Sequence, residues 1–225
     1  MPQKLSLTST WNYDPLPALQ EQSLAYLVVD ISEAAQAEAD AAASPGAALN
    51  LSLVLDASGS MAGAKIRNLK EAVGWVVDQL SEGDTVAVTL FSDEVRPLLP
   101  STPVGDRKAL HEKIEAIRES GGTAMSKGLL VGLDEAMKGR KAGSVSRIVV
   151  LTDGQTWGDA DRCRELAAQA GEAGIPITAL GVGADEDWSI ELLDALASES
   201  GGDSGYIARP EEIADAFKST LRLMQ

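Results

Sequence analysis

Residues 51–61 read LSLVLDASGSM, and this stretch decides the fold. Its first five residues are almost continuously apolar, as in a strand that helices cover on both faces. Asp56, Ser58 and Ser60 follow directly, so oxygen-bearing side chains stand on alternate residues where the strand ends. In open α/β sheets, ligand sites lie just beyond the carboxyl ends of the strands. The stretch therefore predicts a central strand with a site at its end.

Downstream of this strand, apolar runs alternate with helical patterns. We predict strands over 49–55, 85–91, 147–152 and 175–181, and helices over 64–80, 107–117, 125–138, 160–172, 188–199 and 211–223. The alternation predicts an α/β fold with a mostly parallel central sheet and helices on both faces. The apolar runs LSLVL and RIVVL are expected to form the centre of that sheet.

The first helix has the clearest pattern. Ile66, Leu69 and Val73 recur at steps of three and four residues, which predicts a buried face. Lys65 and Arg67 fall on the other side, which we assign to solvent.

The first 47 residues differ in character. KLSLT and SLAYLVVDI predict two strands, which we expect to form a small antiparallel addition packed on the main domain. SEAAQAEADAAASPGA is of low complexity and predicts an exposed connector. The expected boundary separates residues 1–47 from a main domain over 48–225.

Composition excludes several classes of function. The formal net charge of −15 disfavours non-specific binding to nucleic acid and to anionic membranes, which require basic surfaces. The single cysteine, Cys163, rules out an internal disulfide, and we expect it to be a small buried residue. We find no signal peptide and no apolar run that would span a bilayer, so we expect a cytoplasmic protein.

Oxygen donors recur at three places where loops should meet. Asp56, Ser58 and Ser60 follow the first core strand, Thr152 and Asp153 follow RIVVL, and the loop ESGGTAMS contains Thr123 and Ser126. Hydroxyls and carboxylates without His or Cys form a set suited to Mg²⁺, Mn²⁺ or Ca²⁺ and poorly suited to zinc. Two carboxylates neutralise a divalent ion but leave it able to bind one more anionic oxygen.

These residues resemble the metal-ion-dependent adhesion site (MIDAS) of von Willebrand factor type A domains. The resemblance covers residues 48–223 and all five positions: Asp56, Ser58, Ser60, Thr123 and Asp153. It implies that Ser58, Ser60 and Thr123 bind the metal directly, and that the two aspartates bind it directly or through water. It also implies a Rossmann-like sheet with one antiparallel strand, for which EVRPLL at 94–99 is the candidate.

The resemblance further implies a protein-interaction module, in which an Asp or Glu of a partner protein completes the metal shell. An alternative is an adaptor for an ATPase of the MoxR or magnesium-chelatase type, which many intracellular members of the family serve. A second is a metal-dependent phosphoryl or ester hydrolase. No general base stands out near the five residues, so we expect no enzyme.

Simpler roles compete for the same residues. Asp56, Ser58, Ser60 or Thr123 could cap the helices that follow them, and Asp153 with Gly154 could form an ordinary turn. Another candidate, Trp157, could anchor a partner beside the metal or cover apolar surface.

Overall fold

A computed structural model of the chain describes residues 5–11, 27–33, 48–154, 158–183 and 189–222. The chain divides into two compact units, Met1–Ser44 and Pro45–Gln225. In the first unit, β1 (Leu5–Trp11) and β2 (Leu27–Glu33) form an antiparallel pair, with Leu5 opposite Glu33 and Trp11 opposite Leu27. The connector over 34–47 lies outside the described residues. The boundary after residue 47 and the packing of the strand pair stay predictions.

The second unit is built on a six-stranded sheet with the order β5-β4-β3-β6-β7-β8. Its strands are β3 (Leu49–Asp56), β4 (Thr85–Phe91), β5 (Val95–Pro103), β6 (Val145–Thr152), β7 (Ile177–Val182) and β8 (Asp203–Ile207). Among the described strands of this sheet, only β4 and β5 pair in antiparallel fashion. The mostly parallel α/β fold is thus confirmed, with the LSLVL and RIVVL strands at its centre and the EVRPLL strand antiparallel at its edge.

Helices cover both faces of this sheet. They are α1 (Ala64–Gln79), α2 (Arg107–Glu115), α3 (Met125–Gly139), α4 (Ala160–Glu172), α5 (Ile190–Ser200) and α6 (Ile213–Arg222). Buried residues of α1, α2 and α6 share one core cluster with Leu51, Leu53 and Leu55 of β3. Those of α3, α4 and α5 share the other cluster with Val54.

The α3 helix approaches the sheet closely. A Cβ at Gly128 would lie 2.7 Å from the Cβ of Phe91, and one at Gly132 would collide with Val54. Ser52, a polar residue inside an apolar strand, donates to the carbonyl of Gly132 at 2.8 Å. This close packing fixes α3, and with it the loop that leads into α3, against the centre of the sheet.

Strand β8 was not predicted. Asp203, Ser204 and Gly205 are poor strand formers, and pairing with β7 overrides their weak propensity. The burial expected for Cys163 is confirmed: the residue is 0% exposed, and burial raises the pKa of its thiol to about 12. Among the described helices, none is long and apolar enough to cross a membrane.

Candidate metal centre

Asp56 ends β3 at the carboxyl edge of the sheet and is 0% exposed. The backbone N–H of Ser58 donates to its Oδ1 at 2.8 Å, and Thr152 Oγ1 donates to its Oδ2 at 2.6 Å. Both carboxylate oxygens therefore have hydrogen-bond partners. Thr152 ends the neighbouring strand β6, so the two central strands meet at this carboxylate.

The serine hydroxyls extend this network. Ser58 Oγ lies 2.9 Å from Ser60 Oγ, and Ser60 Oγ donates to Asp153 Oδ1 at 2.7 Å. Hydrogen bonds thus connect the loop after β3 with the loop after β6. Ser58 and Asp153 are each 2% exposed, whereas Ser60 is open to solvent.

The alternative of helix capping is wrong for these loops. Ser58 stands at the N-cap of a short 3₁₀ turn, Gly59–Met61, and its side chain makes no capping hydrogen bond. The N-caps of α1 and α3 are Gly63 and Ala124, neither with a side-chain cap. The hydroxyls of Ser58, Ser60 and Thr123 therefore have no part in starting these helices.

Backbone hydrogen bonds hold the first loop rigidly. The N–H of Ala57 donates to the Phe91 carbonyl at 2.8 Å, and the Ala57 carbonyl accepts from the N–H of Ser120 at 2.8 Å. The N–H of Gly59 donates to the Gly121 carbonyl at 3.0 Å. The loop after β3 is thus hydrogen-bonded on one side to β4 and on the other to the loop that carries Thr123.

Thr123 is half-buried at the start of α3, beside the Asp153 loop. A Cβ at Gly154 would lie 3.6 Å from Thr123 Oγ1. Two contacts fix the segment: the N–H of Ala124 donates to the Ser92 carbonyl at 2.9 Å, and the N–H of Ser126 donates to Asp159 Oδ2 at 2.9 Å. The structure therefore brings the loops of all five predicted residues to one place, while their binding of a metal stays a prediction.

Sequence reasoning was wrong about Lys65, which it assigned to the solvent side of α1. The side chain is 23% exposed, and its Nζ lies 2.5 Å from Asp153 Oδ2. Helical periodicity cannot reveal this contact, because Lys65 stands in the first turn, where a long side chain reaches past the helix end. Thr152 was noted at the end of its strand but not as a partner of Asp56.

The electrostatics of the site favour a cation. Burial raises the pKa of Asp56, the hydrogen bonds from Thr152 and Ser58 lower it only in part, and the nearby charge of Asp153 raises it further. Among the described residues, no basic side chain forms an ion pair with Asp56. A divalent ion would stabilise a buried carboxylate that has no positively charged partner.

The donor set fits a hard ion. Within the described ranges, no three Asp, Glu, His or Cys side chains cluster closely enough to hold a metal. A metal at this edge must therefore use hydroxyl oxygens beside the two carboxylates, a composition suited to oxygen-seeking ions. Ser58, Ser60 and Thr123 would supply the hydroxyls. Trp157, the predicted rim residue, lies outside the described residues.

The family is shown by comparison of sequences. The von Willebrand factor type A domain matches residues 50–219, so the chain belongs to this family of metal-dependent protein-interaction modules. The Synechocystis protein sll0103, itself uncharacterised, is 36% identical over 177 residues, which are 78% of this chain and 41% of the relative. Inter-alpha-trypsin inhibitor heavy chain H1 of Mesocricetus auratus is 30% identical over 74% of this chain and 19% of its own. The chain thus spans less than half the length of these relatives.

Solved structures support the fold. A von Willebrand factor type A protein from Catenulispora acidiphila aligns with a TM-score of 0.69 at 21% identity, over 97% of this chain and 49% of its own. The mussel byssus protein PTMP1, described with a zinc-occupied MIDAS, aligns with a TM-score of 0.65 at 19% identity, over 79% and 46% of the two chains. Zinc occupies the MIDAS of that protein, whereas the ion of this chain stays a prediction.

Proposed function

We propose that this chain binds a partner protein through a divalent ion held by Asp56, Ser58, Ser60, Thr123 and Asp153, and that an acidic side chain of the partner completes the metal shell. The observation that carries the proposal is that Asp56 is buried without an ion-pair partner among the described residues. Hydrogen bonds through Ser58 and Ser60 connect it to Asp153 on a neighbouring loop. A bound ion would supply a fixed positive charge that attracts a carboxylate.

The shape of the site supports a large ligand. Gly59, Ser60, Gly121 and Gly122 are exposed, so two of the loops that carry the donors reach the protein surface. An open, polar hollow of about 320 Å³ adjoins them and is lined by Ser92, Asp93, Glu94, Arg96, Ser120 and Gly121. A protein loop can approach such a surface.

The use of the two carboxylates supports binding over catalysis. Both oxygens of Asp56 accept hydrogen bonds, and Asp153 uses Oδ1 for Ser60 and Oδ2 for Lys65. A general base must present a carboxylate oxygen to the substrate. We therefore keep the hydrolase and the ATPase adaptor as alternatives that no contact described above favours.

Capture of partners from a cell extract tests the proposal, with Thr123→Ala and Thr123→Ser as a matched pair. Thr123→Ser keeps the oxygen and Thr123→Ala removes it, and neither disturbs a capping hydrogen bond. We expect proteins retained in Mg²⁺ by the wild type and by Thr123→Ser to be lost with EDTA and with Thr123→Ala. Retention of the same proteins under all four conditions would contradict the proposal.

The hydrolase alternative has a separate test. Phosphate and ester substrates are incubated with the protein and Mg²⁺, and turnover is compared with that of Asp56→Ala. We expect no turnover above background for either protein. Robust hydrolysis that Asp56→Ala abolishes would overturn the choice of binding over catalysis.

A further inference from the structure

Lys65 contacts the candidate metal centre from outside the five predicted residues. Its Nζ donates to Asp153 Oδ2 at 2.5 Å, and the Asp153 side chain is 0% exposed while that of Lys65 is 23% exposed. Because this ion pair is largely shielded from water, its energy is screened less than that of a surface pair.

Because of this contact, the two carboxylate oxygens of Asp153 have different partners. Oδ1 faces the hydroxyl of Ser60, and Oδ2 is held by Lys65 on the opposite side. Lys65 therefore fixes the rotation of the carboxylate and leaves one oxygen directed towards the cluster of hydroxyls. It is a positioning residue, since it acts through Asp153.

Lys65 also changes the charge of the site. Asp56 and Asp153 contribute −2 and Lys65 contributes +1, so the three side chains sum to −1. A divalent ion would bring this sum to +1, and one carboxylate from a partner would then bring it to zero. Without Lys65 the metal-loaded site would already be neutral, and its attraction for a carboxylate would be weaker.

We propose that Lys65 weakens the binding of the divalent ion and, in return, strengthens the capture of a carboxylate by the loaded site. This inference rests on the proposed function and adds to it a residue that sets the balance between the two binding steps. It also supplies local positive charge on a protein whose formal net charge of −15 opposes an acidic partner at long range.

Calorimetric titration with Mn²⁺ tests the inference on wild type, Lys65→Met and Lys70→Met. Lys70 lies on the same helix and donates one hydrogen bond to the Glu115 carbonyl, so its substitution removes the same charge elsewhere. We expect Lys65→Met to bind Mn²⁺ about tenfold more tightly, since a nearby positive charge is lost. Lys70→Met should resemble the wild type.

A second set of titrations contains about 50 mM acetate, with chloride at equal ionic strength as the reference. Acetate that binds the loaded site must tighten Mn²⁺ binding by the same factor, because the coupling of two ligands is reciprocal. We expect acetate to tighten Mn²⁺ binding by about twofold or more in the wild type and less in Lys65→Met. A merely structural role of Lys65 would weaken both binding steps together.

The outcomes separate this inference from the proposed function. If the wild type binds Mn²⁺ and Lys65→Met binds it no more tightly, the inference fails while the metal site stands. Tighter Mn²⁺ binding with an unchanged acetate effect also overturns it. If the wild type takes up no Mn²⁺ at all, the proposed function fails and the inference fails with it.

Discussion

The two ends of the central sheet both hold buried carboxylates, and the groups that bind them differ. At the amino end, Asp84 is 6% exposed and accepts from the backbone N–H groups of Leu49 and Ser81, both at 2.7 Å. At the carboxyl end, Asp56 and Asp153 accept from the hydroxyls of Thr152 and Ser60. A backbone N–H donor is fixed by the fold, whereas a hydroxyl can rotate and offer its oxygen to a metal. Asp56 also accepts from the backbone N–H of Ser58, and Asp153 accepts from Lys65, so it is the additional hydroxyl donors that distinguish these candidate ligands from the structural acid Asp84.

Glu135 at the amino end follows the structural pattern. Its Oε2 accepts from the N–H of Ser101 at 2.6 Å, and its Oε1 accepts from Lys138 at 2.8 Å. The bond from Ser101 ties α3 to the edge strand β5, whereas Lys138 lies on α3 itself. Glu135 stabilises the packing of α3, whereas Asp56 and Asp153 at the other end belong to the candidate site.

The largest predicted contrast is between Asp84→Ala and Asp56→Ala. Asp84→Ala leaves the buried N–H of Leu49 without a partner and removes the bond from the exposed Ser81, so it should lower the free energy of unfolding by about 1–3 kcal/mol with or without Mg²⁺. Asp56→Ala should instead lose the stabilisation by Mg²⁺, which reaches about 2.7 kcal/mol at one hundred times the dissociation constant. Urea unfolding with Mg²⁺ or EDTA measures both. If Mg²⁺ stabilised Asp56→Ala as much as it stabilises the wild type, this prediction would be wrong.

Two glycines with the same backbone strain give the next contrast. Gly121 beside the site has φ +74° and Gly143 before β6 has φ +78°, so alanine at either should cost about 1–2 kcal/mol of stability. Only at Gly121 would the new Cβ collide with another group, the carboxylate of Asp93. If this strain makes the free energy of metal binding about 1 kcal/mol less favourable, the metal affinity of Gly121→Ala should fall about fivefold, while that of Gly143→Ala should not change. Equal metal affinity in the two variants would show that this loop does not shape the site.

The smallest predicted effect is the pH dependence of Glu135. Burial alone would raise the pKa of Glu135, but the hydrogen bonds from Lys138 and the Ser101 N–H outweigh it, so the pKa is lowered. A carboxyl with a lowered pKa in the folded state stabilises above its unfolded pKa, and this stabilisation is lost as the pH falls. Glu135→Gln should therefore destabilise more at about pH 7 than at about pH 3.5, as measured by urea midpoints. A difference that is independent of pH would contradict the assignment.

The sequence predicted the elements that obey periodicity. The strand before Asp56 and the buried face of α1 were found because apolar spacing alone specifies them. Strand β8 was missed because its residues are poor strand formers and tertiary pairing defines it.

The site was predictable in part for a similar reason. Strand ends place oxygen donors at one edge of a parallel sheet, so Asp56 and Asp153 could be grouped from sequence. Lys65 could not, because its contact with Asp153 joins residues 88 positions apart and depends on how α1 starts. Periodicity assigns the face of a helix and says nothing of a long side chain in its first turn.

Crystals grown with Mn²⁺ test the central claim most directly, because anomalous diffraction locates the ion without assumptions about its ligands. The account predicts one strong peak bounded by Asp56, Ser58, Ser60, Thr123 and Asp153, with hydroxyl oxygens at roughly 2.0–2.4 Å from the metal. A peak elsewhere on the protein, or no peak at this edge of the sheet, would contradict it.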